Sequence, residues 1–182
     1  MRKFATPIFF LCSFLQALPL AHAATIQQKV QLKDQSPLSI TLTAKTSNLN
    51  EAIVIGCADP RGAAMYELFK HGQAKATPGG SITEGIGLGR VTPIIEQAKV
   101  DEAYLIPDDE AVPVIYELLE HEGLCLGGST GVNVAGAIRL ANDLGPGKTI
   151  VTILCDHGSR YQSKLFNPEF LKERGLPTPP WI

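Results

Sequence analysis

The stretch from Gly123 to Arg139, GLCLGGSTGVNVAGAIR, constrains the fold of this 182-residue chain more than any other. Apolar residues lead into a glycine pair, Ser129 and Thr130 follow, and small residues then recur at helical spacing. This order predicts a strand, a tight turn and a helix, with Ser129 or Thr130 capping the first free N–H groups. At the carboxyl end of a strand in an α/β sheet, such a hydroxyl also points into the crevice where ligands bind. An ordinary helix cap and a ligand contact are both open at Ser129.

Strands and helices are predicted to alternate along the rest of the chain. Continuous apolar runs, typical of strands covered on both faces, predict strands at 52–58, 103–106, 124–126 and 149–155. Helices are predicted at 63–69, 92–97, 161–165 and from Asp108 or Asp109, as the cap, to Glu122. Alternation at 38–43 suits one edge strand. The fold class is predicted to be α/β, with a mostly parallel sheet and flanking helices.

The amino-terminal residues differ in composition from the rest. Residues 1–23 combine a positive start, an apolar run over 8–20 and the small-x-small sequence Ala21-His22-Ala23. This pattern predicts a cleaved secretory signal peptide, and hence a secreted or periplasmic protein without a stable membrane span in the mature chain. Residues 24–50 are a weakly specified polar segment, and residues 51–182 are predicted to form the main domain.

Charge and cysteine content exclude several classes of function. Sixteen Lys and Arg against eighteen Asp and Glu give a net charge of -2, without the basic run that nucleic-acid binding needs. Cys57, Cys125 and Cys155 each lie in or at the end of an apolar run, so we interpret them as small buried side chains. The histidines are far apart in sequence and no metal-ligand spacing is present, so no metal site is predicted.

Four stretches carry a resemblance to a known family. They are ADPRGAAMYELFKHG, SITEGIGLGR, EGLCLGGSTGVNVAGAIRLA and TIVTILCDHGSRYQSKLFNPEF. In order and spacing they resemble the carboxy-terminal part of the pyridoxal-phosphate (PLP) dependent cysteine synthases, also called O-acetylserine sulfhydrylases. That family has the tryptophan synthase β-like fold, the fold type II of PLP enzymes. The resemblance implies PLP as cofactor and a small amino-acid substrate.

The resemblance also implies roles for individual residues. Ser129 resembles the family serine whose hydroxyl meets the pyridine nitrogen, a contact through which the protein tunes the cofactor. Gly85, Ile86 and Gly87 resemble the loop beside the cofactor and substrate, although a surface loop is the alternative. The resemblance gives site-supporting roles to four further residues: Gly128, Thr130, Asp156 and Tyr161. For Asp156 a helix cap is the alternative.

Three motifs of the family are missing from the printed sequence. They are the Ser-x-Lys-x-Arg stretch with the Schiff-base lysine, the Thr-Ser-Gly-Asn substrate loop and the Gly-Thr-Gly-Gly-Thr phosphate loop. Lys33-Asp34 lacks the serine and arginine that would flank such a lysine. We therefore expect a truncated cysteine synthase that cannot by itself perform the family's β-replacement, in which O-acetylserine and sulfide give cysteine.

Two alternatives remain open at this point. The chain could be an exported α/β binding module without catalysis, because fold alone does not fix function. It could instead be half of a split PLP enzyme, such as one of the cystathionine β-synthase type, with the lysine on a partner. If the chain lacks an amino-terminal half, the apolar surfaces that would pack against that half are exposed. We therefore expect either self-association or a missing amino-terminal half that covers them. The resemblance to the family implies a cytoplasmic protein, whereas residues 1–23 predict export.

Overall fold

The computed structural model describes residues 8–9, 25–30, 38–43 and 53–181. The strands are β1 (Ile8–Phe9), β2 (Thr25–Val30), β3 (Leu38–Thr43), β4 (Gly56–Pro60), β5 (Glu102–Ile106) and β6 (Ile150–Val151). The helices are α1 (Met65–His71), α2 (Pro93–Glu96), α3 (Asp108–Glu122), α4 (Gly128–Leu144) and α5 (Pro168–Glu173), with a 3₁₀ turn at Gly158–Tyr161. The predicted strand at 103–106 and the predicted helices before and after it are confirmed.

The chain divides into two compact units, residues 13–53 and residues 1–12 with 54–182. In the smaller unit, β2 and β3 pair antiparallel, from Thr25 opposite Thr43 to Val30 opposite Leu38. The predicted edge strand at 38–43 is therefore confirmed, with the preceding polar segment as its partner.

Parallel strand pairs with helices against them organise the larger unit. β4 and β5 run parallel, from Gly56 opposite Glu102 to Pro60 opposite Ile106. Both α1 and α4 pack against this pair. β1 and β6 form a second short parallel pair. The described elements thus have the α/β class and parallel pairing that the apolar runs predict.

Helix α4 approaches its neighbours at glycines. A Cβ on Gly131 would lie 2.4 Å from the Ala111 carbonyl oxygen on α3, and one on Gly136 would lie 2.5 Å from Ala58 Cβ on β4. These separations are far below van der Waals contact, so the absence of side chains lets the backbones come close. At the other end of α4, Arg139 Nε donates to Glu110 on α3 over 2.9 Å.

The buried core lies on two sides of α3. One cluster joins α3 to the carboxy-terminal residues and comprises Val112, Ile115, Tyr116, Tyr161, Leu165 and Leu171. Within it Tyr116 donates its hydroxyl proton to the Leu165 carbonyl over 2.5 Å, and burial raises the pKa of Tyr116 to about 12. The other cluster joins α3 to β5 and α4 and comprises Ile106, Ala111, Val132 and Ala135. α3 is consequently the element that both clusters share.

The predicted strand at 149–155 is wrong over most of its length. Only Ile150–Val151 pairs as a strand. Beyond it, side chains of α4 bind the backbone: Thr130 Oγ1 accepts from Cys155 N over 2.9 Å, and Asn133 Nδ2 donates to Ile153 O over 3.1 Å. Because those polar groups are bound by a helix, no strand ladder is needed to satisfy them.

Three other boundaries also differ from prediction. The strand expected at 52–58 begins at Gly56, because the Asp101 carboxylate accepts the Ile55 N–H ahead of the ladder. The strand expected at 124–126 is a single bridge from Leu126 to His157. The helix expected at 161–165 is wrong: a 3₁₀ turn ends at Tyr161 and residues 162–166 form turns. Helix α5 follows, capped by Asn167, which accepts from Glu169 N and Phe170 N. Asn-Pro-Glu was a helix-start signal that the sequence reading missed.

Burial opposes the ionisation of both Cys57 and Asp59 on β4. Desolvation, with the Asp59 charge adding, raises the pKa of the Cys57 thiol to about 12. Desolvation also raises the pKa of Asp59, which is fully buried and has one oxygen, Oδ1, without a partner among the described residues. Its other oxygen accepts from Tyr66 N over 2.8 Å and so ties β4 to α1. The three described cysteines are free thiols.

Neither a membrane span nor a metal cluster is found among the residues that the structure describes. None of the helices there is long and apolar enough to cross a bilayer. No group of three or more metal-ligating side chains occurs in the same residues.

The close approach of α3 and α4 gives a first prediction. Replacing Gly131 by alanine puts a methyl group against the Ala111 carbonyl, and such overpacking costs about 1–3 kcal/mol. The gain in helix propensity, about 1 kcal/mol, only partly offsets this cost. We expect Gly131→Ala to lower the free energy of unfolding measured with urea. Gly80→Ala is the matched control, since a Cβ there meets nothing within 4 Å; equal stability of both variants would contradict the packing described.

Candidate functional site

Most of the sequence-predicted site residues lie where three segments meet. These are the glycine loop (residues 81–87), the start of α4 and the carboxy-terminal segment (residues 156–165). A Cβ on Gly128 would lie 2.8 Å from Thr83 Cγ2, and one on Gly127 would lie 2.6 Å from Tyr161 Cε2. A Cβ on Gly85 would meet Asp156 Oδ2 at 4.0 Å. The fold thus brings Gly85, Gly128, Asp156 and Tyr161 to one place.

Within the glycine loop the three predicted residues have different surroundings. Gly85 and Gly87 have φ angles of +77° and +82°, which favour glycine. A Cβ on Gly85 would have one neighbour within 4 Å, Asp156 Oδ2, whereas a Cβ on Gly87 would collide with Pro60 Cγ at 2.6 Å. Ile86 packs against the cluster around Ile106 and Val132. Gly85 is therefore the loop position with room beside it, and Ile86 and Gly87 hold the loop on the core.

At the start of α4 neither hydroxyl caps the helix. The cap residue is Gly127, without a side-chain cap bond, so the predicted capping by Ser129 or Thr130 is wrong. Thr130 is fully buried, and its hydroxyl accepts from Cys155 N instead. Ser129 is only 4% exposed, and no hydrogen bond of its hydroxyl is found among the described residues. A nearly buried hydroxyl is thus left available in the first turn of a helix.

Asp156 is fixed next to this turn from two sides. Its carbonyl oxygen accepts from Gly127 N over 2.8 Å, and its carboxylate accepts the Tyr161 hydroxyl. Arg160 Nη1 lies 3.8 Å from the same carboxylate. The alternative of Asp156 as a helix cap is wrong, because the adjacent 3₁₀ turn is capped by His157, which accepts from Ser159 N. The hydrogen bond to Asp156, together with burial, raises the pKa of Tyr161.

A small cleft lies between the three segments. It is lined by Ile82, Thr83, Glu84, Gly128, Tyr161, Lys164 and Leu165, and its volume is about 10 Å³. That volume is at the lower limit for one water molecule, whereas pockets for organic ligands are typically about 300–1,000 Å³. Glu84 and Lys164 form an ion pair across it. The described residues therefore provide one side of a site at this point and do not enclose a ligand.

Sequence reasoning missed Asp108 as part of this arrangement. It was expected to cap α3, but the cap position is Pro107, and the Asp108 carboxylate binds the glycine loop instead. The contact joins residues 26 and 27 positions apart. Local pattern carries no signal for such a pair, since an aspartate before an apolar stripe is equally typical of a helix start.

The Asp156–Tyr161 contact gives a second prediction. Because the carboxylate raises the pKa of Tyr161, Asp156→Asn should lower that pKa. A tyrosine whose folded pKa is raised loses its stabilising effect as the pH rises above its unfolded value, about 10. The loss of stability above that pH should consequently be smaller in Asp156→Asn. The measurement is the absorbance titration at 295 nm, with Tyr161→Phe subtracted to isolate this residue; an unchanged titration would contradict the contact.

Comparison with known proteins identifies the family of this chain. Residues 39–156 match the sequence profile of the family described as pyridoxal-phosphate dependent enzyme. Cysteine synthase 2 from Schizosaccharomyces pombe is 39% identical over 137 residues, which cover 69% of this chain and 35% of that protein. Cysteine synthase from Dictyostelium discoideum is 39% identical over 128 residues, covering 65% and 34%. The chain thus spans about a third of the length of these relatives.

A solved structure has a similar fold. The crystal structure of O-acetylserine dependent cystathionine beta-synthase from Helicobacter pylori matches with a TM-score of 0.53 and 28% identity, over 62% of this chain and 34% of that one. The predicted α/β class and the resemblance to fold type II enzymes are confirmed. The chain belongs to the pyridoxal-phosphate dependent enzyme family, whose cofactor is PLP.

Proposed function

We propose that this chain supplies the side of a PLP site that faces the pyridine ring, in a site of the cysteine synthase type. The reaction proposed for the complete site is β-replacement on O-acetylserine with sulfide, which gives cysteine. We further propose that the chain alone does not perform it. The observation that carries the proposal is the nearly buried Ser129 in the first turn of α4, directly after Gly128, on which Thr83 of the glycine loop packs.

The chemistry of Ser129 and Gly85 supports contact with the ring. Bound PLP supplies an electron-withdrawing ring that stabilises negative charge on the amino-acid substrate. The Ser129 hydroxyl can donate a hydrogen bond to a ring nitrogen and adds no charge there, whereas a carboxylate would hold that nitrogen protonated. Gly85, which has no side chain and one neighbour within 4 Å of an added Cβ, would allow a flat ring to approach this part of the loop.

The charges near the cleft do not suit the phosphate group of the cofactor. Three carboxylates surround the glycine loop, on Glu84, Asp108 and Asp156. The cations beside them, Lys164 and Arg160, are already paired with two of these carboxylates. A phosphate dianion would be repelled here, whereas family phosphate loops offer backbone N–H groups. This supports a phosphate-binding element outside the described residues.

Lys164 is the lysine among the residues that line the cleft. Its amine is paired with the Glu84 carboxylate, and its side chain is about half exposed, at 48%. A cleft of about 10 Å³ leaves no room for a ring between this amine and the start of α4. The geometry supports the view that Lys164 is not the lysine to which the cofactor attaches. The attachment lysine is proposed to come from additional polypeptide, and exposed apolar side chains such as Ile94 (70%) support a further packing surface.

This proposal predicts that the chain alone neither retains PLP nor makes cysteine. Without an attachment lysine and a phosphate loop, borohydride treatment with PLP should add no stoichiometric pyridoxyl mass to the protein. The measurement is intact-protein mass spectrometry, together with an assay of cysteine from O-acetylserine and sulfide. A pyridoxyl adduct accompanied by cysteine formation would overturn the proposal of an incomplete site. Lys164→Ala would then tell whether Lys164 is the residue modified.

Adding a complementary portion tests the proposed role of Ser129. We expect cysteine formation when the chain is combined with the part of S. pombe cysteine synthase 2 that lies outside the matched segment. In that mixture Ser129→Ala should reduce activity by about two- to tenfold, the value of one neutral hydrogen bond. Ser159→Ala is the matched control, because Ser159 is exposed and bonds only His157 among the described residues. Equal activity of both variants would argue against Ser129 as a cofactor contact.

Export remains a separate proposal, supported by the composition of residues 1–23. Cleavage after Ala23 would remove Ile8–Phe9, which the structure pairs with Ile150–Val151. We expect amino-terminal sequencing of the protein from an exporting host to start at Ala24. Protein that stays in the cytoplasm and retains Met1 would instead favour the cytoplasmic location that the family resemblance implies.

A further inference from the structure

The Asp108 carboxylate makes two hydrogen bonds to the glycine loop. Ser81 Oγ donates to Asp108 Oδ1 over 2.5 Å, and Ile82 N donates to Asp108 Oδ2 over 2.8 Å. Ser81 Oγ also contacts Thr83 Oγ1 at 2.6 Å and accepts from Thr83 N over 3.0 Å. Both carboxylate oxygens are therefore used, and three consecutive loop residues depend on them. Hydrogen bonds to an ionised group are about twice as strong as neutral ones.

These bonds fix the loop against the start of α4. Thr83 rests on Gly128, where a Cβ would lie 2.8 Å from Thr83 Cγ2 and 3.3 Å from Thr83 Cα. Gly128 directly precedes Ser129, and Gly85 follows Thr83 by two residues. Thr83 consequently joins the glycine loop to the turn that carries Ser129.

A second polar contact of the glycine loop, an ion pair, is weaker than the hydrogen bonds to Asp108. Glu84 pairs with Lys164, but both side chains are about half exposed, at 49% and 48%. Ion pairs with that exposure contribute about 0–1 kcal/mol in proteins generally. Of these two polar contacts, that of Asp108 therefore contributes more to the position of the loop.

Asp109, the next residue, provides a control that distinguishes the loss of the Asp108–loop contact from the loss of a negative charge. Both residues lie in the first turn of α3, where a negative charge is favourable to the helix. Asp109 is exposed, and no hydrogen bond of its carboxylate is found in the described part of the chain. Replacing Asp109 removes the same charge from the same turn and leaves the loop contacts in place.

We propose that Asp108 is a positioning residue for the cofactor side of the site: its carboxylate holds residues 81–83 so that the glycine loop stays against the first turn of α4, which carries Ser129. The inference rests on the proposed function for what the loop contacts. The contact of Asp108 with residues 81–83 is a property of this chain and is measured without any ligand.

Backbone amide exchange followed by NMR on the full chain tests the hold. In Asp108→Ala the amides of Ile82 and Thr83 should exchange about tenfold faster or more than in the unmodified chain. In Asp109→Ala they should not change. The Cys155 amide, bound by Thr130, should keep its rate in both variants. Equal rates at Ile82 and Thr83 in the two variants would overturn the proposal.

A conservative replacement distinguishes positioning from general stability. Asp108→Asn keeps an oxygen for the Ile82 N–H and can donate its amide proton to Ser81 Oγ, so it should recover most of the protection lost in Asp108→Ala. Should Asp108→Ala fail to fold, Ser81→Ala removes one of the same bonds from the loop side and should speed exchange at Thr83. Unchanged exchange in Ser81→Ala would count against the proposed contact network.

Titration with PLP tests the consequence for the site. We expect weak, reversible contact of the PLP ring, as distinct from the stable retention excluded above, to shift the amide resonances of Gly85, Gly87 and Ser129. This contact should be about tenfold weaker in Asp108→Ala, with none of that loss in Asp109→Ala. Equal PLP binding by both variants, with faster loop exchange only in Asp108→Ala, would overturn the positioning role. If PLP shifts no resonance even in the unmodified chain, the proposed function fails, and the exchange experiment still decides whether Asp108 holds the loop.

Discussion

The close approach of α4 to its surroundings is the constraint on which the rest of the larger unit depends. The glycine loop packs against α4 at Gly128, α3 packs against it at Gly131, and β4 packs against it at Gly136. Each contact would be broken by a single methyl group, because protein interiors have no spare volume of that size. The same helix carries Ser129 in its first turn. Packing and site geometry are therefore set by one run of small residues.

Sequence patterns predicted those parts of the fold that are decided locally. The helix at 108–122, the strand at 103–106 and the start of α4 follow from apolar spacing and from glycine. The run at 149–155 failed because side chains of α4, Thr130 and Asn133, take the hydrogen bonds that a strand partner would otherwise supply. An apolar run indicates burial, but it does not tell which group satisfies the backbone.

The sequence predicted which segments lie together at the candidate site, but it did not predict the contacts that their residues make. The resemblance singled out Ser129, Gly85, Asp156 and Tyr161, and the structure brings the segments that carry them together. What each residue does there was decided by partners distant in sequence. Thr130 binds Cys155, and Asp108 binds the glycine loop, so neither caps a helix as local pattern indicated. Hydroxyl and carboxylate groups are versatile enough that only the fold selects among their uses.

The return of the chain to the start of α4 has a consequence for how this region folds. Cys125 O accepts from Gly158 N, Asp156 O accepts from Gly127 N, and Leu126 bridges His157. These contacts connect residues only about thirty positions apart and enclose a single helix between them. Closing a segment of this length costs less chain entropy than closing the longer one between Thr83 and Gly128. The stretch from Cys125 to Gly158 accordingly closes on itself through backbone contacts, whereas the glycine loop reaches α4 from farther away in the sequence.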